Sequence, residues 1–125
     1  MTLTQIIYNI LDTSVDITIP NIYAGFANED KSARDGLLTF FLLPSPGANF
    51  TDGTSVSQYQ FDIWDKDIYQ AEVYKEEVIK ALLGLAGWYD EKPLIFVMNS
   101  DLGATYDMDG DIWHYPVIFD IKWVR

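Results

Sequence analysis

Hydrophobic residues recur along this chain in two rhythms. Leu3, Ile6, Ile7, Ile10 and Leu11 fall at i, i+3, i+4, i+7 and i+8, the spacing of a helix with one apolar stripe. Thr2 and Gln5 have the spacing of a capping box at its start, and the helix is expected to fade near Asp12–Ser14. A second stripe, Ala71, Tyr74, Val78, Ala81, Leu82 and Leu85, predicts a helix over about Asp67–Leu83. Glu72, Lys75, Glu76 and Lys80 are expected on its outer side, with Glu72–Lys75 and Glu76–Lys80 as ion pairs along it. Asp65 and Asp67 sit at its positive end, and Gly84 and Gly87 supply the stop.

The other rhythm has period two. Ser55 to Trp64 places Tyr59, Phe61 and Ile63 on one face and Gln58, Gln60 and Asp62 on the other. Trp113, Tyr115, Val117, Phe119, Ile121 and Trp123 alternate in a long final strand with an aromatic face. Leu37–Leu43 is nearly continuous in apolar residues and reads as a strand covered on both sides. Ile22–Phe26, after Pro20, and Leu94–Met98 are shorter strands. Asn28–Asp35 reads as a solvated linker, and turn signals at Pro44–Gly47 and Thr51–Thr54 enclose Phe50 in a long loop. Asp107–Asp111 is a further turn, with Asp109-Gly110 expected to supply positive φ. The order helix, three strands, helix, two strands predicts one α+β domain over residues 1–125. It would be a mostly antiparallel sheet of about four to five strands with two helices packed on one face.

Composition narrows the function. The 125 residues carry 8 Lys+Arg against 19 Asp+Glu, a formal charge of −11. That balance argues against a grip on nucleic-acid phosphates, which needs cations. Half the residues (49%) are apolar, enough for a packed core despite the charge. The absence of cysteine excludes disulfides, a thiolate metal site and a cysteine nucleophile. The first residues lack the basic segment of a signal peptide, and no apolar run reaches 18 residues, so no membrane-spanning helix is expected.

Candidate chemistry is sparse. His114 is the only histidine, on the strand face opposite the aromatic ladder, with no serine or acid at a catalytic spacing. A calcium loop on Asp107, Asp109 and Gly110 would put Thr105 at position 1 and Pro116 where a bidentate glutamate belongs, so the EF-hand pattern fails. Asp62, Asp65 and Asp67 are explained by helix capping and solvation as well as by a carboxylate site. The strand-to-helix junction Trp64-Asp65-Lys66-Asp67 has no glycine to cradle a phosphate. No catalytic, cofactor or metal residue is assigned on these grounds.

The assembled layout resembles the small tail-terminator, or tail-completion, proteins of long-tailed bacteriophages. The resemblance rests on the short amphipathic helix Leu3–Leu11, the Ile22-Tyr23-Ala24-Gly25 strand followed by a variable loop, and the apolar strand Leu38–Leu42. Its best single element is Phe61-Asp62-Ile63-Trp64 feeding a helix through Ala71-Glu72 to Leu83-Gly84, with the final alternation after an Asp-rich turn. The Pro-rich loop 44–54 and the aromatics Trp88, Tyr89 and Trp113 depart from it. The resemblance implies a non-enzymatic virion protein of the tail or neck, made in host cytoplasm and assembled into a homo-oligomer, commonly a hexameric ring. Such a ring caps the tail tube protein, stops its polymerisation and meets a head-side connector or stopper, while DNA passes through the lumen unbound. No cofactor and no membrane enter this picture.

A ring needs heterologous contacts that close. Arg34, Phe50, Tyr89, Ile112, Ile118 and Arg125 are the interface candidates, and Asp62, Asp107, Asp109 and Asp111 the candidates for a carboxylate-lined channel. Solubility of an unassembled monomer is the competing reason for the acidity. Two other readings stand beside the terminator: another neck or connector ring component, and, from a different class, an acidic inhibitor that mimics DNA.

Overall fold

The computed structural model describes residues 1–25, 33–44, 48, 49, 51 and 53–124. Phe26, the linker residues 28–32, Phe50 and Arg125 therefore lie outside the described residues. Two helices, α1 (Leu3–Thr13) and α2 (Ile68–Leu82), join eight strands. The strands are β1 (Asn21–Ala24), β2 (Leu37–Leu42), β3 (Ala48–Asn49), β4 (Thr54–Asp65), β5 (Ala86–Tyr89), β6 (Lys92–Asp101), β7 (Thr105–Asp107) and β8 (Ile112–Val124).

The long alternating segments form the centre of one sheet. Its path is β1-β2-β4-β8-β6-β5, with β3 added beside β4 and β7 beside β8. The expected α+β class holds, but the sheet is larger than four to five strands and is mixed. β1 runs parallel to β2, with Ile22 opposite Leu38. Parallel neighbours need a connection of about a dozen residues, and the sequence between Ala24 and Leu37 is long enough for one. β3, β5 and β7 are too short for period-two alternation to register; in β5, Gly87 reads as a helix stop yet pairs with Leu94.

Both helices pack on the same sheet face. Ile7 and Leu11 of α1 and Ala71, Val78 and Leu82 of α2 meet Leu38, Phe40, Tyr59, Phe61, Ile63, Phe96, Tyr115, Val117, Phe119 and Ile121 in one core. β4 and β8 contribute their odd-numbered residues, in register as Phe61 with Val117 and Ile63 with Tyr115. Burial of each large side chain contributes about 1.5–3 kcal/mol. The capping box of α1 forms as expected: the Thr2 side chain accepts from the Gln5 amide at 3.2 Å, and Gln5 Oε1 accepts from the Thr2 amide at 2.8 Å. Asp67 caps α2, its side chain accepting from the Tyr69 amide at 3.0 Å.

Lys75 departs from expectation. Instead of covering the outside of α2 it is buried, 8% exposed. Its ammonium lies 3.1 Å from Asp101 Oδ2 and 3.3 Å from Glu76 Oε1, and 5.1 Å from the Tyr115 ring centroid. Neither expected helix pair is present in the form foreseen, since Lys80 reaches Asp16 at 3.4 Å rather than Glu76. A four-carbon stem packs as an apolar chain while its head finds a charge on another strand. Burial opposes the Lys75 charge, but hydrogen bonds and attraction from Asp101 and Glu76 outweigh it and raise its pKa. The folded state therefore holds this proton more tightly, and the stabilisation is present below the unfolded value of about 10.4 and lost above it. Burial likewise raises the pKa of Tyr59, Tyr74 and Tyr115, which adds loss of stability in the same alkaline window. Thermal melts from pH 8 to 11.5 should show stability falling above about pH 10. The fall should be shallower in Lys75→Met, and an equal slope would remove the residue from this account.

The β5–β6 turn carries strain. Tyr89 pairs with Lys92, leaving Asp90 and Glu91 as a two-residue loop with φ of 52° and 65°. This is the geometry for which Asn-Gly is preferred. Glu91→Gly should raise stability by about 0.5–1 kcal/mol by relieving a left-handed backbone at a residue with a Cβ. Urea unfolding measures it; a loss of stability would show that the Glu91 side chain contributes more than its backbone costs.

Candidate assembly interface

The face of the sheet turned away from the helices carries the even-numbered residues of β4 and β8. Over its middle this face is polar and internally bonded. His114 Nε2 lies 2.7 Å from Asp62 Oδ1, and Gln60 donates to the same oxygen at 2.8 Å. The His114 ring stacks on Trp64 with centroids 3.9 Å apart and planes 3° from parallel, while Trp64 Nε1 donates to Thr39 Oγ1 at 3.4 Å. Farther along, Asp120 accepts from Gln58 at 3.0 Å and from Asn99 at 3.2 Å. Asn99 is the residue left over where the β6–β8 register shifts between Met98 and Ser100, a bulge of the kind that redirects a side chain.

Asp62 is consequently buried, 5% exposed. It is set in place by three elements and its charge is turned toward His114 and Gln60 rather than toward solvent. The sequence signal for His114 was its solitude; what pairs it with Asp62 is the register that puts Trp64 opposite His114 and Asp62 opposite Pro116.

One end of this face is different. Ala86 and Trp88 of β5, Pro93 and Ile95 of β6, Lys122 and Val124 of β8 and Thr54 of β4 line an open groove of about 490 Å³. Trp88 is 74% exposed, and Ile95 and Val97 are exposed beside it. β5 is the terminal strand of the sheet path, so this groove runs along a free edge. Contiguous exposed apolar surface at an edge marks an interaction site far better than scattered single residues do.

The opposite end of the β6–β8 ladder carries the acidic turn. Asp107 pairs with Ile112, leaving residues 108–111 as a four-residue loop. The positive φ falls on Asp111 (49°), not on Gly110 as expected, because a loop of this length turns left-handed at its last residue. Asp111 is clamped there: Tyr106 OH donates to Oδ1 at 2.6 Å, and Arg34 donates to Oδ2 at 3.0 Å and to the Asp111 carbonyl at 2.7 Å. The Tyr106 hydrogen bond, then Arg34, lower the pKa of Asp111. Asp107 Oδ1 accepts from the amides of Asp109 and Gly110 at 3.0 and 3.4 Å. Met108, 82% exposed, projects between Asp107 and Asp109 at the tip.

The residues singled out from sequence divide accordingly. Arg34 is committed within its own chain to Asp111. Tyr89 is half-buried against the core, and Ile112 is buried at 8% exposure. Ile118 is half-buried on the outer face, opposite Gln60. Asp107 and Asp109 are exposed at the tip, Asp111 is exposed but clamped, and Asp62 is enclosed. Phe50 and Arg125 lie outside the described residues. Sequence reasoning missed Trp88, Ile95, Val97 and Met108 as surface residues. The alternation Ala86, Trp88 and Pro93, Ile95, Val97 was the available signal, obscured by the shortness of β5.

Among the described residues no group of three or more His, Cys, Asp or Glu is placed to hold a metal ion. No helix among them is long and apolar enough to cross a membrane. No protein-family model matches the sequence, and no curated protein matches it. Among solved structures, the chain is similar to one in the virion of a native gene transfer agent particle. The TM-score is 0.75 at 14% identity, over 98% of this chain and 95% of that chain. At that identity the likeness is one of fold.

Proposed function

We propose that this chain is a structural, non-enzymatic virion protein that acts as a tail terminator. In this reading copies of it form a ring, of six in the family it resembles, that sits on the end of the tail tube. The ring stops further tube subunits from adding and offers its other side to a head-side connector, leaving a lumen for DNA. The observation that carries the reading is the end-to-end fold likeness to a chain of a virion. Coverage of nearly the whole of both chains means that one complete domain, not a shared substructure, is alike.

The surface is compatible with that role. A clustered apolar edge at Trp88, Ile95 and Val97 suits assembly, and the charge of −11 disfavours retention of DNA in a channel. A DNA-mimicking inhibitor would need its carboxylates along one face. Here Glu72, Glu76 and Glu77 line the outside of α2, whereas Asp107 and Asp109 sit at a hairpin tip. The same surface would suit another neck ring component, which differs from a terminator in its neighbours.

Electron microscopy of particles assembled without this chain separates the readings. A terminator's loss should give tails of uncontrolled length, with heads and tails unjoined. Tails of normal length that fail to join heads would favour the other neck component. Normal tails joined to heads would refute both.

A further inference from the structure

We infer that the groove at the β5 edge receives the Met108 hairpin tip of a second copy of this chain; the inference deepens the ring reading and rests on it. Among the described cationic side chains, Arg34, Lys66, Lys75 and Lys80 each have a carboxylate within ion-pair distance. Lys92 and Lys122 have none within that distance, although the chain holds more than twice as many acids as bases. Lys122 lines the groove, whereas Lys92 lies on the other face of the sheet with Tyr89 and Leu94. The site is thus an apolar trough whose one charged lining residue is the cation Lys122.

The complementary shape is on the same molecule. Met108 is an unbranched, adaptable apolar side chain flanked by the exposed carboxylates of Asp107 and Asp109. Exposed Tyr106, two residues before it on β7, extends the apolar surface. The clamp of Arg34 and Tyr106 on Asp111 fixes the tip before it binds, which lowers the ordering cost of docking. An apolar knob with an anionic rim faces its opposite.

The two features cannot meet within one chain. They lie at opposite ends of β8, whose 13 residues span about 40 Å at roughly 3.3 Å per residue. Tip into groove joins different patches of two copies, a heterologous contact that closes into a ring when the rotation between copies permits. It also sets opposite charges of a strongly acidic chain against each other, Lys122 of one copy toward Asp107 and Asp109 of the next.

The absence of cysteine makes a direct test clean. Met108→Cys and Trp88→Cys are made singly and together, and each protein is treated with a short bis-maleimide, both purified and in particles. Both positions are exposed, so neither change threatens folding. The double variant should give a ladder of covalent multimers ending at one closed species, and neither single variant should cross-link. Lys122→Glu should weaken self-association at least about tenfold and abolish the ladder.

Light scattering on the same samples separates the two levels of inference. Oligomers without a ladder would overturn this contact and leave the ring standing. Cross-linking of the Trp88→Cys chain to a different virion protein, or no ladder in solution and in particles alike, would overturn it as well. The ring reading itself answers to the tail-length experiment above.

Discussion

Replacing Gly36 by alanine is expected to destabilise the fold by about 3 kcal/mol, from two separate costs. Gly36 has φ of +88°, a left-handed backbone that costs a residue with a Cβ about 1–2 kcal/mol. A Cβ there would also lie 2.8 Å from Pro20 Cδ and 2.9 Å from Tyr74 Cε2. Both atoms belong to rings that cannot bend away, and overpacking of this kind costs about 1–3 kcal/mol. Gly103→Ala is the control. Gly103 has φ of +78° but nothing within 4 Å of its built Cβ, so only the backbone cost applies, about 1 kcal/mol. Urea unfolding of the two variants should thus differ by about 2 kcal/mol with unchanged m-values. Equal losses would show that the entry to β2 gives way more readily than its packing implies. The consequence reaches the interface reading, because Gly36 ends the connection between β1 and its parallel neighbour β2 and positions Arg34 toward the acidic hairpin.

Phe61→Ala should cost more, about 3–5 kcal/mol. The Phe61 ring has no exposed surface and sits at the centre of the aromatic cluster. It stacks on Phe40 at 5.7 Å and meets Phe119 edge-on at 5.7 Å. Truncation removes both ring contacts and leaves a void in the middle of β2, β4 and β8 that the flanking strands cannot close without breaking register. Against a total of about 5–15 kcal/mol for a domain, that loss is enough to unfold a marginal chain. Phe61→Leu keeps most of the volume and should cost about 1.5 kcal/mol or less. Calorimetric melts of both variants check the ratio; an alanine variant within 1 kcal/mol of the parent protein would contradict a core centred on this ring.

Where local chemistry dictates local structure, the linear chain was sufficient. The Thr2–Gln5 box, the apolar stripes of α1 and α2, and the alternation of β4 and β8 are each set by groups a few residues apart. Lys75 shows where that reasoning stops. Its neighbours along the helix are acids, so sequence places it among exposed ion pairs, yet Asp101 and Tyr115 on the sheet draw it inward. The candidate site divides in the same way. Its acidic turn is legible as a run of aspartates and glycine. Arg34 was legible as a cation seeking an acid, but not that the acid is Asp111 of its own chain.

The residues themselves therefore determined the class of fold, the core face and the net charge of −11 that opposes a grip on DNA. Tertiary structure alone decided that β1 is parallel, that β5 closes the sheet as a free edge, and that Asp62 is buried beside His114. It also set an apolar groove lined by Lys122 at one end of β8 and a clamped acidic tip at the other. The physical reason is range. Propensity, capping and periodicity act between residues close in sequence, whereas strand register, edges and unpaired charges are set by pairings 50 or more residues apart, as between Asp62 and His114.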